Sequence, residues 1–345
     1  MTGHSSQPAL RWGILATGGI AAAFAADLRT AGLDLVAVGS RSQESADAFA
    51  ARFGIARAHG SYEALVADPE VDIVYVATPH PMHHADARLA LEHGKHVLVE
   101  KAFTLNGAEA QDLADLGREK GLLVMEAMWT RYLPHMIRIR EIIAAGTLGE
   151  IRAVSADHTQ SLPTDPAHRL NALELGGGAL LDLGVYPISF VHDVLGAPVT
   201  VQATGRLAET GADTEVATIM THAGGAVSTT LSSSRAAGAD TAVVIGTAAR
   251  IEIDRVWYAP TTFRVVGPDG TVLEEYDGRT TSHGRGGGRG MQYQALAAER
   301  YIAAAAADGG TPDSDLLPVV ESVAIMALLD EIRAQIGVRY PRETA

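Results

Sequence analysis

Three groups of residues have types and spacings that could do chemistry. The first is the run Trp12-Gly13-Ile14-Leu15-Ala16-Thr17-Gly18-Gly19-Ile20-Ala21, where a β-rich stretch passes through a small-residue turn into helical spacing. Small residues at 16, 18 and 21 suit a tight turn, a close approach of backbone to ligand, and close packing of helix on strand. Backbone N–H groups and the helix dipole at such a turn favour phosphate. Ala16, Thr17, Gly18, Gly19 and Ile20 are therefore candidates for holding a dinucleotide pyrophosphate. The second group is Ser40-Arg41, at the end of the next strand-like run. Asp or Glu there would bind a ribose 2′-hydroxyl and repel a 2′-phosphate, whereas Arg offers charge-assisted, often bidentate, hydrogen bonds to it. The pair predicts NADP, with NAD as the alternative.

The third group is Lys101, Asp182 and Tyr186. Lys101 directly follows a strand-like run, so it lies at the carboxyl edge of a parallel sheet, where doubly wound folds bind ligands. A nearby ammonium stabilises the alkoxide that develops as a secondary alcohol loses hydride, and it can lower the pKa of a neighbouring phenol. Asp182 and Tyr186 are four apart, which puts them on one helix face. Pro187 requires that helix to begin only shortly before it, which places Asp182 at the N-terminal end, where an N-cap role is compatible with a functional one. The stretch Thr78-Pro79-His80-Pro81-Met82-His83 also falls at the carboxyl edge. His80, His83 and His84 invite a metal reading, but no nearby carboxylate completes the set with convincing spacing, and no metal is expected.

The elements that must position these residues alternate over the first 125 positions. Strand-like runs at Arg11–Ala16, Leu35–Val38, Ile73–Ala77, His96–Val99 and Leu122–Met125 are separated by helical spacings such as Glu44–Phe53, His83–His93 and Ala108–Lys120. Strands apolar on both faces and alternating with helices imply βαβ units and a doubly wound parallel sheet. Near residue 150 the pattern changes to successive strand-like runs: Ile151–His158, Val199–Leu207, Val216–His222, Ala226–Ser232, Ala242–Thr247, Ile251–Trp257, Phe263–Val266 and Thr271–Glu275. A Gly-Pro-Asp-Gly turn at 267–270 joins the last two. This predicts a largely antiparallel sheet with one face not covered by helices. Helical patterns at Met291–Ala306 and Leu317–Ile336 follow. The basic, glycine-rich Ser282–Gly290 stretch is a candidate lid or a plain connection.

With 345 residues, 47% hydrophobic and 20% charged, the chain has ample material for two globular domains. A net charge of −14 argues against nucleic-acid and anionic-membrane partners. The absence of cysteine rules out disulfides, thiolate catalysis and cysteine-bound metals. A polar start, MTGHSSQPAL, and no apolar run approaching about 20 residues leave the cytoplasm as the expected location.

Several segments, in order along nearly the whole chain, carry a specific resemblance: Arg11-Trp12-Gly13-Ile14, Gly60-Ser61-Tyr62-Glu63, Ala77-Thr78-Pro79-His80, Val99-Glu100-Lys101, Glu126-Ala127-Met128-Trp129-Thr130-Arg131 and Gly176–Tyr186. The chain resembles the glucose–fructose oxidoreductase, inositol dehydrogenase and rhizopine-catabolism (Gfo/Idh/MocA) family, and within it the dimeric trans-1,2-dihydrobenzene-1,2-diol dehydrogenase branch. The resemblance implies an α/β fold, with an N-terminal Rossmann domain over 1–128. Over 129–345 it implies an α+β domain for substrate binding and oligomerisation, with a large, mostly antiparallel open-faced sheet and a C-terminal helix that packs back on the first domain. It implies Tyr186 as proton donor or acceptor, Lys101 acting at the reacting hydroxyl, and Asp182 binding or orienting. It supports Lys101, His80, Trp129 and Arg131 on the cofactor side, where Ser40, Arg41, Thr78, Pro79, His83 and Glu100 are further candidates beside the glycine turn; His158 and Arg169, the latter shortly before the glycine run, are candidates for the substrate side. A polyol, sugar or cyclic-diol substrate and a homodimer or dimer of dimers follow from the same likeness. Ala102 stands where the family has Pro, which tolerates a cis peptide more cheaply by roughly 2–4 kcal/mol. A dinucleotide-binding regulator without turnover and an NAD-dependent glycosidase are the alternatives; the intact Lys101, Asp182 and Tyr186 set argues against the first, and Arg41 against the second.

Overall fold

The computed structural model describes residues 10–279 and 288–343. The first layer runs β1 (Arg11–Leu15), α1 (Gly19–Ala31), β2 (Asp34–Gly39), α2 (Gln43–Phe53), β3 (Arg57–His59), α3 (Tyr62–Val66), β4 (Ile73–Val76), α4 (His80–Glu92), β5 (His96–Glu100), α5 (Gly107–Lys120) and β6 (Val124–Ala127). The six strands are all parallel, in the order β3-β2-β1-β4-β5-β6. Strand order reverses between β1 and β4, and this doubly wound arrangement opens its ligand crevice there. The central strands are apolar on both faces, and every residue of Ile73–Val76 is buried, because helices cover both sides. Most helices stop in left-handed glycines, such as Gly32, Gly54 and Gly121. The short β3 has no apolar run, and the sequence reading had no strand there.

The second layer begins with α6 (Pro134–Ala144) and β7 (Ile151–Thr159), passes through α7 (Val185–Leu195), and continues with β8 (Pro198–Leu207), β9 (Asp213–His222), β10 (Val227–Ser233), β11 (Ala242–Gly246), β12 (Arg250–Ile253), β13 (Thr262–Val266) and β14 (Val272–Asp277). Its order is β14-β13-β12-β11-β7-β10-β9-β8, antiparallel throughout except for the β7–β10 pair. On β10, Val227, Thr229 and Leu231 point outward while Ser228, Thr230 and Ser232 are buried. The hydroxyls tolerate burial because they are partnered: Ser228 Oγ meets His222 Nε2 at 2.9 Å and Thr230 Oγ1 meets Thr218 Oγ1 at 2.7 Å.

Two helices close the chain, α8 (Gln292–Asp308) and α9 (Val319–Ile336). α9 lies against α5 of the first layer. Gly107 there has no room for a side chain, since a Cβ would stand 3.2 Å from the Ala327 backbone, and its N–H donates to Asp330 Oδ2 at 2.8 Å. One correction concerns the apolar segment Leu173–Leu195, whose 23 residues reach membrane-spanning length and hydropathy. It is mostly buried within the fold, where α7 serves as the core helix beneath β7 and β10. The stretch 280–287, and with it most of the candidate lid, lies outside the described residues.

Candidate active site

β1 ends at Leu15, and Ala16 turns the chain with a positive φ of 88°, its N–H donating to the Gly39 carbonyl at 2.9 Å. That conformation suits glycine better than alanine, which is why the usual fingerprint has Gly here. Gly18 is the N-cap of α1 and offers no side chain to the first-turn N–H groups. A Cβ added at Gly18 or Gly19 would meet no atom within 4 Å, so the turn faces open space. That space is a cleft of about 950 Å³ running from the turn across the carboxyl ends of β1, β2, β4 and β5 to α7 and the end of β7. Uncapped N–H donors, a small-residue turn and Arg41 at the β2 end form a donor set that fits a phosphorylated dinucleotide.

The cleft is lined by Ala16, Thr17, Gly18, Gly19, Ile20, Ser40, Arg41, Thr78, Pro79, His80, His83, Glu100, Lys101, Trp129, His158, Arg169, Asp182 and Tyr186. Arg131 is absent from it, which corrects the sequence reading. Its side chain is only 2% exposed and is ion-paired with Asp193 Oδ1 at 2.9 Å and with Glu321, while its Nε donates to Ser189 Oγ at 3.0 Å. Arg131 therefore ties the Trp129–Tyr132 turn to α7 and α9 rather than facing a ligand.

At the far end of the cleft, Leu180–Gly184 forms a π-helical turn that runs without a break into α7. The helix thus starts earlier than Pro187 suggested, and Asp182 sits within the turn instead of capping it. The cap is Asp213 on β9, whose buried carboxylate accepts the Leu180 N–H at 2.6 Å. Gly178, at φ 147°, makes that possible, because a Cβ would stand 2.2 Å from Asp213 Oδ1.

Lys101 leaves the end of β5 through a cis peptide to Ala102. Its Nζ donates to the Asp182 carbonyl at 2.7 Å and to Asp182 Oδ1 at 3.3 Å, and lies 5.0 Å from the centre of the Tyr186 ring. Arg169 Nη1 reaches the same carboxylate oxygen at 3.3 Å. Burial alone would raise the Asp182 carboxyl, but Lys101 and Arg169 outweigh it and hold the group well below the usual carboxylate range. Burial would lower the Lys101 ammonium, and the charges of Asp182, Tyr186 and Glu100 instead hold it up. For Tyr186, burial raises the phenol, and the opposing pull of Lys101 does not overcome it. The Lys101 charge therefore limits that rise rather than producing a low-pKa phenol. Trp129 Nε1 donates to the Tyr186 hydroxyl at 2.9 Å, leaving the phenol's own proton free to point elsewhere.

His80 and His158 are neutral at neutral pH. Burial pushes His80 down to about 3, with His83 adding to it, and burial likewise pushes His158 down to about 3. His80 and His83 use their ring nitrogens on backbone carbonyls: His83 meets Thr78 O at 2.7 Å and Ala102 O at 2.9 Å. His84 instead pairs with Asp112 at 2.7 Å. Glu100 is raised to about 7 by burial, against a short hydrogen bond from the Tyr75 hydroxyl and the nearby Lys101 charge.

The cleft is also lined by residues that the sequence did not single out as site residues, Tyr258, Gln160, Tyr62 and Arg289 among them. Tyr258 stacks on His158 at 3.8 Å and stands 5.3 Å from Tyr186. Gln160 bridges His158 Nε2 at 2.8 Å and the Tyr258 hydroxyl at 3.3 Å. Tyr62 and Arg289 also line the cleft. Gln160 sits two residues beyond His158, and that proximity was the signal available; Tyr258 carried none.

Residues 10–128 match the oxidoreductase family with an NAD-binding Rossmann fold, and residues 136–252 match the GFO/IDH/MocA C-terminal domain. The chain belongs to this Gfo/Idh/MocA oxidoreductase family and is an NAD(P)-binding enzyme of it. It is similar to D-xylose 1-dehydrogenase (NADP(+)) of Hypocrea jecorina, 39% identical over 96% of this chain and 93% of the relative. It is also similar to trans-1,2-dihydrobenzene-1,2-diol dehydrogenase of Bos taurus, 35% identical over 97% and 99%. Among solved structures, a 3-ketoreductase from Actinomadura kijaniata in complex with NADP and TDP-benzene aligns with a TM-score of 0.78 at 27% identity, over 95% of this chain and 98% of that one. An NAD binding oxidoreductase from Klebsiella pneumoniae shares the fold with a TM-score of 0.84 at 23% identity, over 95% and 97%.

Proposed function

We propose that the chain is an NADP(H)-dependent dehydrogenase that moves a hydride between nicotinamide and a secondary alcohol, or its ketone, on a sugar, cyclitol or vicinal cyclic diol. The observation that carries this reading is the meeting of Lys101, Asp182 and Tyr186 in the same cleft as the Gly18 turn, with Nζ 5.0 Å from the phenol ring. When bound, the nicotinamide supplies or accepts the hydride. In the reducing direction Tyr186, protonated at neutral pH because burial raises it, donates its proton to the substrate oxygen while Trp129 Nε1–H holds the phenol oxygen. The Lys101 ammonium stabilises negative charge on that substrate oxygen and on the phenol it leaves behind. Asp182, kept ionised by Lys101 and Arg169, accepts hydrogen bonds from neighbouring substrate hydroxyls. In the oxidising direction the same groups run in reverse.

Arg41 at the end of β2 supports NADP, as do the NADP(+)-named xylose dehydrogenase and the NADP-bound ketoreductase. The two domains of the proposal divide at 128/129. The exposed apolar residues Val199, Ile219, Val227 and Leu231 on the open sheet face support assembly as a homodimer or dimer of dimers. A panel of sugars, cyclitols and cyclic diols with NADP and NAD, followed at the nicotinamide absorbance, tests the reading. Net turnover of NADP with one of these classes is expected. Binding of dinucleotide with no net turnover on any of them would favour the regulator or glycosidase alternative instead.

A further inference from the structure

The cleft holds four cations at its surface: Arg41, Lys101, Arg169 and Arg289. Lys101 and Arg169 are both committed to Asp182. Among the described residues, Arg41 and Arg289 make no ion pair. An exposed cation with no carboxylate partner, on the wall of a cleft in a chain of net charge −14, is available to an anionic ligand. The two lie in different places. Arg41 follows β2 and acts on Tyr62 and Asp86, at the adenosine-ribose end. The charge of Arg289 is felt instead by Glu100 and Tyr75, at the ends of β5 and β4 beside the strand-order reversal.

Arg289 is also built into position. Asp27, on the third turn of α1 and 2% exposed, accepts the backbone N–H groups of Arg289 at 3.1 Å and Met291 at 2.9 Å. The residue between them, Gly290, has φ 90°, and a Cβ there would stand 2.5 Å from Leu133 Cδ2, so the chain can take this course only with glycine. Asp27 and Gly19 are eight residues apart on one helix, about 12 Å along its axis. The tethered backbone therefore lies beside the C-terminal half of α1, and the Arg289 side chain extends back to the cleft that begins at the N-terminal end.

We propose that Arg289 is a cofactor-binding residue that contacts the pyrophosphate of the dinucleotide from the side opposite the Gly18 turn, and that Asp27 is the positioning residue that holds it there. The inference rests on the dinucleotide reading of the cleft and adds to it a second phosphate donor, from the far end of the chain. It also divides the recognition. Arg41 addresses a group found only on NADP, whereas Arg289 addresses one shared by NADP and NAD.

The test is equilibrium titration of the full chain with NADPH and with NADH, followed by protein fluorescence. Arg289→Ala is expected to raise both dissociation constants by a like factor of about ten, equivalent to about 1.4 kcal/mol. Arg41→Ala is expected to raise that of NADPH far more than that of NADH. Arg289→Lys, which leaves the backbone tether untouched, recovers most of the loss. Asp27→Asn weakens both dinucleotides, and combined with Arg289→Ala it adds less than its own single effect. Arg289→Ala constants within twofold of wild type, or a loss confined to NADPH, overturn the proposal. Wild-type chain that binds neither dinucleotide refutes the cofactor reading itself, an outcome distinct from either of these.

Discussion

Replacing Lys101 by Met keeps an unbranched side chain of similar length and removes the ammonium. In the protein Nζ lies 5.0 Å from the centre of the Tyr186 ring. At an effective dielectric of about 20, and with the phenolate charge placed at the ring centre, a unit charge at that separation is worth roughly 3 kcal/mol to a developing phenolate. Since each 1.36 kcal/mol is tenfold in rate, kcat should fall by about 100-fold. The same change leaves Arg169 as the remaining ion-pair partner of Asp182, and its side chain is 55% exposed, so solvent screens its pull. Asp182 then moves up toward the ordinary carboxylate range. A depressed carboxyl contributes stability that is present above its unfolded pKa and lost as pH falls through its folded value. The acid loss contributed by Asp182 should therefore be smaller in Lys101→Met than in wild type and be complete at a higher pH. A second variant, Lys101→Met with Asp182→Asn, separates the two effects, because it removes the unpaired charge without restoring the ammonium. Steady-state rates with the best substrate of the panel, read at the nicotinamide absorbance, and thermal unfolding from pH 3 to 7 give both quantities. Lys101→Met within threefold of wild-type kcat, or a double variant that regains turnover, would refute the electrostatic role.

Three further outcomes follow from the same geometry. Arg41→Asp should raise KM for NADP at least tenfold more than KM for NAD in steady-state assays, because only NADP carries the 2′-phosphate that the carboxylate repels; equal changes would remove Arg41 from cofactor choice. Arg131→Met should lower stability by about 1–3 kcal/mol in denaturant unfolding, since it removes one of the two partners of Asp193, which keeps Arg140, and of Glu321, which keeps His192, whereas a cleft contact would show mainly in KM. Glu126, raised by burial to about 7 from 4.5, favours the folded state fully below the lower value and loses that contribution as pH rises through the upper. Glu126→Gln should therefore gain on wild type between pH 5 and 8, by at most roughly 3 kcal/mol in urea midpoints converted to free energy; a gap that stays flat across that range would show that Glu126 does not titrate there.

Most of what organises the site is local, and local patterns are legible in a sequence. The apolar runs of β1, β4 and β5 alternate with helices, so the parallel sheet and its carboxyl edge followed, and with them the placement of the Gly18 turn, His80 and Lys101. The four-residue spacing of Asp182 and Tyr186 survives in the structure even though the helix begins earlier than Pro187 suggested. What locks that start is Asp213, more than 30 residues downstream on a different strand, and no local pattern announces it. Arg131 was misplaced for the same reason. The family resemblance put it on the cofactor side, and only the arrival of Asp193 on α7 and Glu321 on α9 shows it to be a buried tie. Tyr258 follows β12 in an irregular stretch with no period, so its stacking on His158 depends on how the antiparallel sheet closes. Arg289 was hidden in a glycine-rich run whose composition spoke of a loop, while its placement depends on Asp27, over 260 residues away. On β10, alternation alone does not say which side the core claims. The hydroxyl side is buried because Thr218 and His222 on the neighbouring strand satisfy it.

The account turns on the Tyr186 phenol as the group that passes a proton to and from the substrate oxygen. Tyr186→Phe removes one hydroxyl and leaves the ring packed against His158 and Tyr258. Turnover of the best panel substrate with NADP(H), measured alongside NADPH affinity, should fall at least 100-fold with affinity unchanged within about twofold, in line with the 10²–10⁴ that general acid–base catalysis supplies. A Phe variant that retains a fifth or more of wild-type kcat would contradict it.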